Sequence, residues 1–79
     1  MKGNSIQAQI TRLKTALKTR SMTTIEIRNK LDIMEVAARI WDLRHKHGCE
    51  IHTEMIDDET RPGLKHRVAR YSLIREAIQ

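Results

Sequence analysis

Apolar residues recur at Ile6, Ile10, Leu13 and Leu17, spacings of four, three and four that line one stripe along a helix of three to four turns. Asn4 or Ser5 stands where an N-cap is wanted, and the helix is expected to end near Thr19 to Ser21. Thr23 followed three residues later by Glu26 fits a capping box, in which hydroxyl and carboxylate each satisfy a free backbone donor. The pattern predicts a second, short helix to about Leu31, burying Ile27 and Leu31 with Ile25 nearby and turning Arg28 and Lys30 outward.

Leu31-Asp32-Ile33 reads as a turn, with Asp32 placed to cap a third helix over residues 34–47. At about 100° per residue, Val36, Ala37, Ile40, Leu43 and His47 gather on an inner side. Glu35, Ala38, Arg39, Asp42 and Lys46 fall on the other. Arg44 projects near the buried side, which predicts a packed stem and a head bonded to strand or loop carbonyls. Trp41, on the flank, reads as core or as an interface anchor. Gly48 stands where a left-handed terminating residue is needed.

Beyond Gly48 the period becomes two. Cys49, Ile51, Thr53 and Met55 alternate with Glu50, His52 and Glu54, and from His66 onward Ala69, Tyr71 and Leu73 share a face. Asp57 to Lys65 reads as a polar connection whose Pro62-Gly63 suits a type II turn. Glu76 to Gln79 is expected to trail off or add a partial turn. The order, three helices followed by a two-stranded antiparallel hairpin, predicts an α+β fold of winged helix-turn-helix type over residues 1–79, with its core at about 6–74.

Composition narrows the picture. With no Phe, one Trp and one Tyr in 79 residues, the core must be small and aliphatic, which leaves homodimerisation open. An apolar content of 39% and the regular pattern exclude a disordered tail. The net charge of +5 is uneven: Lys2, Arg12, Lys14, Lys18 and Arg20 precede any acid, and Arg61, Lys65, Arg67, Arg70 and Arg75 form a second acid-free run. Two such segments converging on one surface would suit a polyanion. Cys49 is alone, so no intrachain disulfide forms. Neither a membrane span nor a signal-peptide core is found, and the expected setting is the cytosol.

A helix with one apolar face and one polar face suits the major groove, so the third helix is the expected reader. Arg39 is the leading base contact, able to present parallel donors to guanine, with Glu35, Ala38 and Asp42 beside it. Glu35 or Asp42 could accept from cytosine or orient Arg39 through an ion pair. Arg28, Lys30, Lys46, Arg61, Lys65 and Arg67 are the expected backbone contacts, with Arg12 and Lys14 as weaker ones. Asp57-Asp58-Glu59 would repel phosphate at the hairpin tip and is expected at its shoulder, paired with Arg67 or Arg70. His45, His47, Cys49 and His52 do not make a metal site: His45 and His47 project roughly 200° apart on a helix, and no second Cys pair exists. No phosphate loop or nucleophile elbow is present, so neither an enzyme nor a cofactor is expected.

Ala37, Arg39, Ile40, Asp42, Leu43, Arg44, Gly48 and Ile51, followed by Val68-Ala69-Arg70-Tyr71, resemble the small helix-turn-helix domain family common among phage and prophage proteins. The likeness runs from about Ile6 to Ile74 and implies a winged fold and, by analogy, DNA binding in a phage or mobile-element setting; the expected role is that of a double-stranded DNA-binding transcriptional regulator or accessory DNA-architecture protein. Two alternatives stand beside this: an inhibitor or adaptor that docks on a host protein complex through the same fold, and an excision or replication accessory protein.

Overall fold

The computed structural model describes residues 5–61 and 64–76, without the side chains of 58–61 and 64–66. Its elements in chain order are α1 (Ile6–Thr19), β1 (Met22–Thr23), α2 (Thr24–Leu31), α3 (Val36–His45), β2 (Glu50–Arg61) and β3 (Leu64–Arg75). The strands form one antiparallel sheet in the order β1-β3-β2. The hairpin expected from the sequence is present, and β1 adds a third strand that the sequence reading lacked. Two residues are too few to show alternation, and both Met22 and Thr23 are buried.

Local chemistry sets the helix ends. Ser5 Oγ accepts from the Ala8 N–H at 3.1 Å and opens α1. At α2 the capping box is complete: the Glu26 N–H donates to Thr23 Oγ1 at 3.1 Å, and the Thr23 N–H donates to Glu26 Oε1 at 3.0 Å. Arg20 closes the arrangement with Nη2 at 2.6 Å from Glu26 Oε2. Asp32, expected to cap α3, instead ends α2 in the left-handed conformation at φ 56°. An aspartate tolerates that region better than most residues. α3 therefore starts later than expected, with Glu35 at its N-cap making no side-chain bond. Gly48, at φ 67°, terminates the run after α3 as predicted, and the Cys49 N–H reaches Leu43 O at 2.9 Å.

One apolar cluster joins all three helices to the sheet, with Leu13, Ile27, Ile33, Ile40 and Leu43 fully enclosed. Ile10 and Leu17 continue the α1 stripe, whereas Ile6 lies outside the core. Across the hairpin, Ile51 opposes Leu73, Thr53 opposes Tyr71 and Met55 opposes Ala69. Ile51 and Tyr71 belong to the core, and Ala69 and Leu73 pack against it. Met55 shares their face but is exposed.

The expected connection over Asp57 to Lys65 is largely strand, since the ladder continues through Asp57↔Arg67 and Asp58↔His66 to Arg61↔Leu64. Asp57 and Asp58 thus sit on the shaft of the wing rather than at its tip. Pro62-Gly63, the expected type II turn, lies outside the described residues, as does all but Glu76 of the last four. Arg70 bonds Glu54 through Nε at 3.1 Å, and the side chains of Asp58 and Glu59 lie outside the described residues.

Replacing Thr23 by Ala is expected to cost about 1 kcal/mol, as for other N-cap hydroxyls, and to lower Tm by roughly 4–8 °C in a domain of this size. An unchanged melt would show that the cap does not support α2. Donation from the Thr23 N–H is the main cause that holds the Glu26 carboxyl below its usual range, helped by Arg20 and Lys30 and opposed by partial burial. The folded state therefore binds that proton more weakly than the unfolded chain. The stabilisation is fully present above about pH 4.3 and is lost as pH falls through the lower folded value. Glu26→Gln should melt below the parent at pH 7, with the gap closing in acid; a gap independent of pH would contradict this.

Candidate nucleic-acid interface

The orientation of α3 about its own axis decides which side chains a ligand can meet. Val36, Ile40 and Leu43 are buried and point that face at the core. Arg44 locks the helix to the sheet: its Nη2 donates to Ile51 O at 2.7 Å and to Thr53 Oγ1 at 2.6 Å. This is the packed-stem, bonded-head role that its place on the helix predicts.

Two of the expected base contacts are covered, in the ion pair that was one of their expected arrangements. Asp42 is buried, and its Oδ2 accepts from Arg39 Nε at 3.0 Å while Oδ1 lies 3.6 Å from Lys46 Nζ. Only 12% of the Arg39 side chain and 8% of the Asp42 side chain is exposed. Neither stands open on the polar side of the helix. Ala37, expected inside, is exposed. A helical wheel treats burial as symmetric about the apolar stripe, but here the covered arc extends much further toward Asp42 than toward Ala37. An ion pair lets polar side chains occupy that covered flank without an unsatisfied atom, and among the described residues no buried side-chain N or O lacks a partner.

The face left open consists of Ala37, Trp41 and His45 at successive spacings of four, with Met34 just before the helix. Met34 is 66% and Trp41 53% exposed. The Trp41 ring lies on that of His45, centroids 4.6 Å apart and tilted by 34°. Trp41 is thus not core. Of the other expected base contacts, Glu35 is exposed and Ala38 half-buried beside this face. The signal that could have found it was the stripe Ala37, Trp41, His45, which is as regular as the apolar one.

Cations sort into spent and available. Arg12 Nε donates to Leu31 O at 3.0 Å, securing the end of α2. Lys14 and Lys18 both reach Glu76, at 3.5 and 3.4 Å. Arg75 lies 3.6 Å from Glu50. By contrast, Arg28 and Lys30 are exposed on the last turns of α2 and enter none of the described ion pairs, whereas Lys46, exposed just past α3, is paired with Asp42. Arg67 is exposed on the wing across from Asp57. The side chains of Arg61 and Lys65 lie outside the described residues. No group of three or more His, Cys, Asp or Glu able to hold a metal occurs among the described residues. No helix of these residues is long and apolar enough to cross a membrane.

Asp42→Ala leaves the Arg39 guanidinium mostly covered and without its carboxylate, at an expected cost of about 1–3 kcal/mol. A double-mutant cycle with Arg39→Ala, followed by urea denaturation, should give a coupling above about 0.5 kcal/mol. Additive losses would mean that the pair does not hold the flank of α3.

The order of elements, the short turn between α2 and α3 and the long hairpin define the architecture. A family model described as the winged helix-turn-helix domain matches residues 8–76. No curated protein sequence and no solved structure matches the chain. On the family match and the architecture together, the chain belongs to the winged helix-turn-helix domain family.

Proposed function

We propose that this domain binds double-stranded DNA with α3 in the major groove and the wing along the backbone. The observation that carries the reading is the placement of exposed positive charge: Arg28 and Lys30 on the last turns of α2 enter none of the described ion pairs, and Lys46 just past α3 stays 63% exposed beside its partner Asp42, while Arg12, Lys14 and Lys18 of α1 are bonded to Leu31 O and Glu76. In helix-turn-helix domains the second helix of the pair enters the groove while its neighbour crosses the phosphates. Arg28, Lys30 and Lys46 then neutralise phosphates, joined by Arg61, Lys65 and Arg67 from the wing. Ala37, Ala38, Trp41 and Glu35 face the bases. Arg39 and Asp42 act as positioning residues for the helix rather than as readers. The biological setting, a transcriptional regulator of a phage or mobile element, rests on the sequence resemblance of residues 37–71.

A second reading has its own support. Met34 and Trp41 are large, apolar and open, as at a protein-docking surface. An acidic protein of a host complex would meet the same apolar face and the same cations.

Titration of a labelled duplex at several salt concentrations tests the first reading. Log affinity should fall linearly with log salt, by about 0.9 for each phosphate neutralised. Arg28→Ala with Lys30→Ala should reduce that slope by about 2. Absence of duplex binding at low salt, with capture of a protein from nuclease-treated lysate that Trp41→Ala abolishes, would replace it with the second.

A further inference from the structure

The middle of the open face of α3 offers bases little hydrogen bonding, its polar side chains being Glu35 at one end and His45 at the other. Met34 and Ala37 carry no side-chain donor, and Trp41 has only its indole N–H. Arg39, the side chain that could fork onto guanine, has its Nε engaged by Asp42 and its stem covered. Besides donors and acceptors, the major groove presents one apolar group, the C5-methyl of thymine.

Resting on the duplex-binding reading above, we propose that this face selects DNA by covering thymine methyl groups, with Ala37 allowing close approach and the Trp41 ring lying over the methyl. Three features fit that task. Ala37 ends at Cβ, so the helix backbone can come near the base edges. The Trp41 ring is braced by His45 at 4.6 Å, which limits the rotamer freedom that binding must remove. Exposed Arg28 and Lys30 on the last turns of α2 and exposed Lys46 just past α3 favour a polyanion over a second apolar helix as the occupant. The preference is for T·A-rich sequence read in the major groove, and 5-methylcytosine, which places a methyl at the same position of a C·G pair, shares the recognised chemistry.

The test compares four duplexes in competition titrations at one low salt concentration: alternating dA-dT, alternating dA-dU, alternating dG-dC, and the last with 5-methylcytosine in place of cytosine. Replacing thymine by uracil keeps base pairing and removes only the methyl. Affinity should drop by about fourfold for each methyl covered, as for one buried methylene. Methylating cytosine should raise it by a similar factor. Trp41→Ala should bring both the dA-dT to dA-dU ratio and the 5-methylcytosine to cytosine ratio close to one, each ratio being read within the variant so that any general loss of affinity cancels. Equal affinity of the parent protein for dA-dT and dA-dU overturns methyl reading and leaves duplex binding standing. Failure to bind any of the four overturns duplex binding itself, and methyl reading with it.

Discussion

The angular setting of α3 governs everything that the surface can do. It is held from three directions: Val36, Ile40 and Leu43 in the core, the Arg44 guanidinium on Ile51 O and Thr53 Oγ1, and the left-handed Gly48 that turns the chain into β2. These contacts allow little rotation, because turning the helix would pull apolar side chains from a small aliphatic core and strand a partly covered guanidinium. The Arg39–Asp42 pair occupies one flank of the helix as a consequence, and Ala37, Trp41 and His45 face out on the other.

How much of this was legible in the sequence differs by element. Thr23 and Glu26 are a local device, satisfied by residues three apart, and the capping box is present in full. Gly48 and Arg44 were equally readable, since the requirement for positive φ and the position of a long cationic stem beside the core follow from local geometry. The strand Met22–Thr23 was not, because it exists only through pairing with Tyr71 and Arg70 nearly fifty residues later. Asp32 misled for a different reason: the same short side chain serves as an N-cap or tolerates a left-handed C-cap, and only the path of the turn chooses between them.

The candidate site shows the same division. That the third helix would carry an outer face was clear, but Arg39, the expected centre of its interface, lies mostly covered and paired with Asp42. Arginine and aspartate on a helix look solvent-facing by residue type, yet three residues apart they satisfy each other and lie down on a covered flank. Net charge misled in a related way. The acid-free run at the start of the chain promised a phosphate-binding surface, but Lys14 and Lys18 meet Glu76, which is distant in sequence. Among the described residues, Arg28 and Lys30 on α2 and Arg67 on the wing stay exposed outside the described ion pairs, and that distribution argues for a polyanion more strongly than the total of +5 does.

The central claim, that the outward face of α3 is the surface that meets a duplex, has a built-in probe, because Trp41 is the sole tryptophan of the chain and lies at the middle of that face. Acrylamide quenching of its fluorescence, measured free and with saturating duplex at low salt, reports the accessibility of this one ring. The account predicts ready quenching in the free protein and a clearly smaller Stern–Volmer slope when the duplex is bound. Saturable duplex binding with an unchanged slope would contradict it and move the contact surface elsewhere on the molecule.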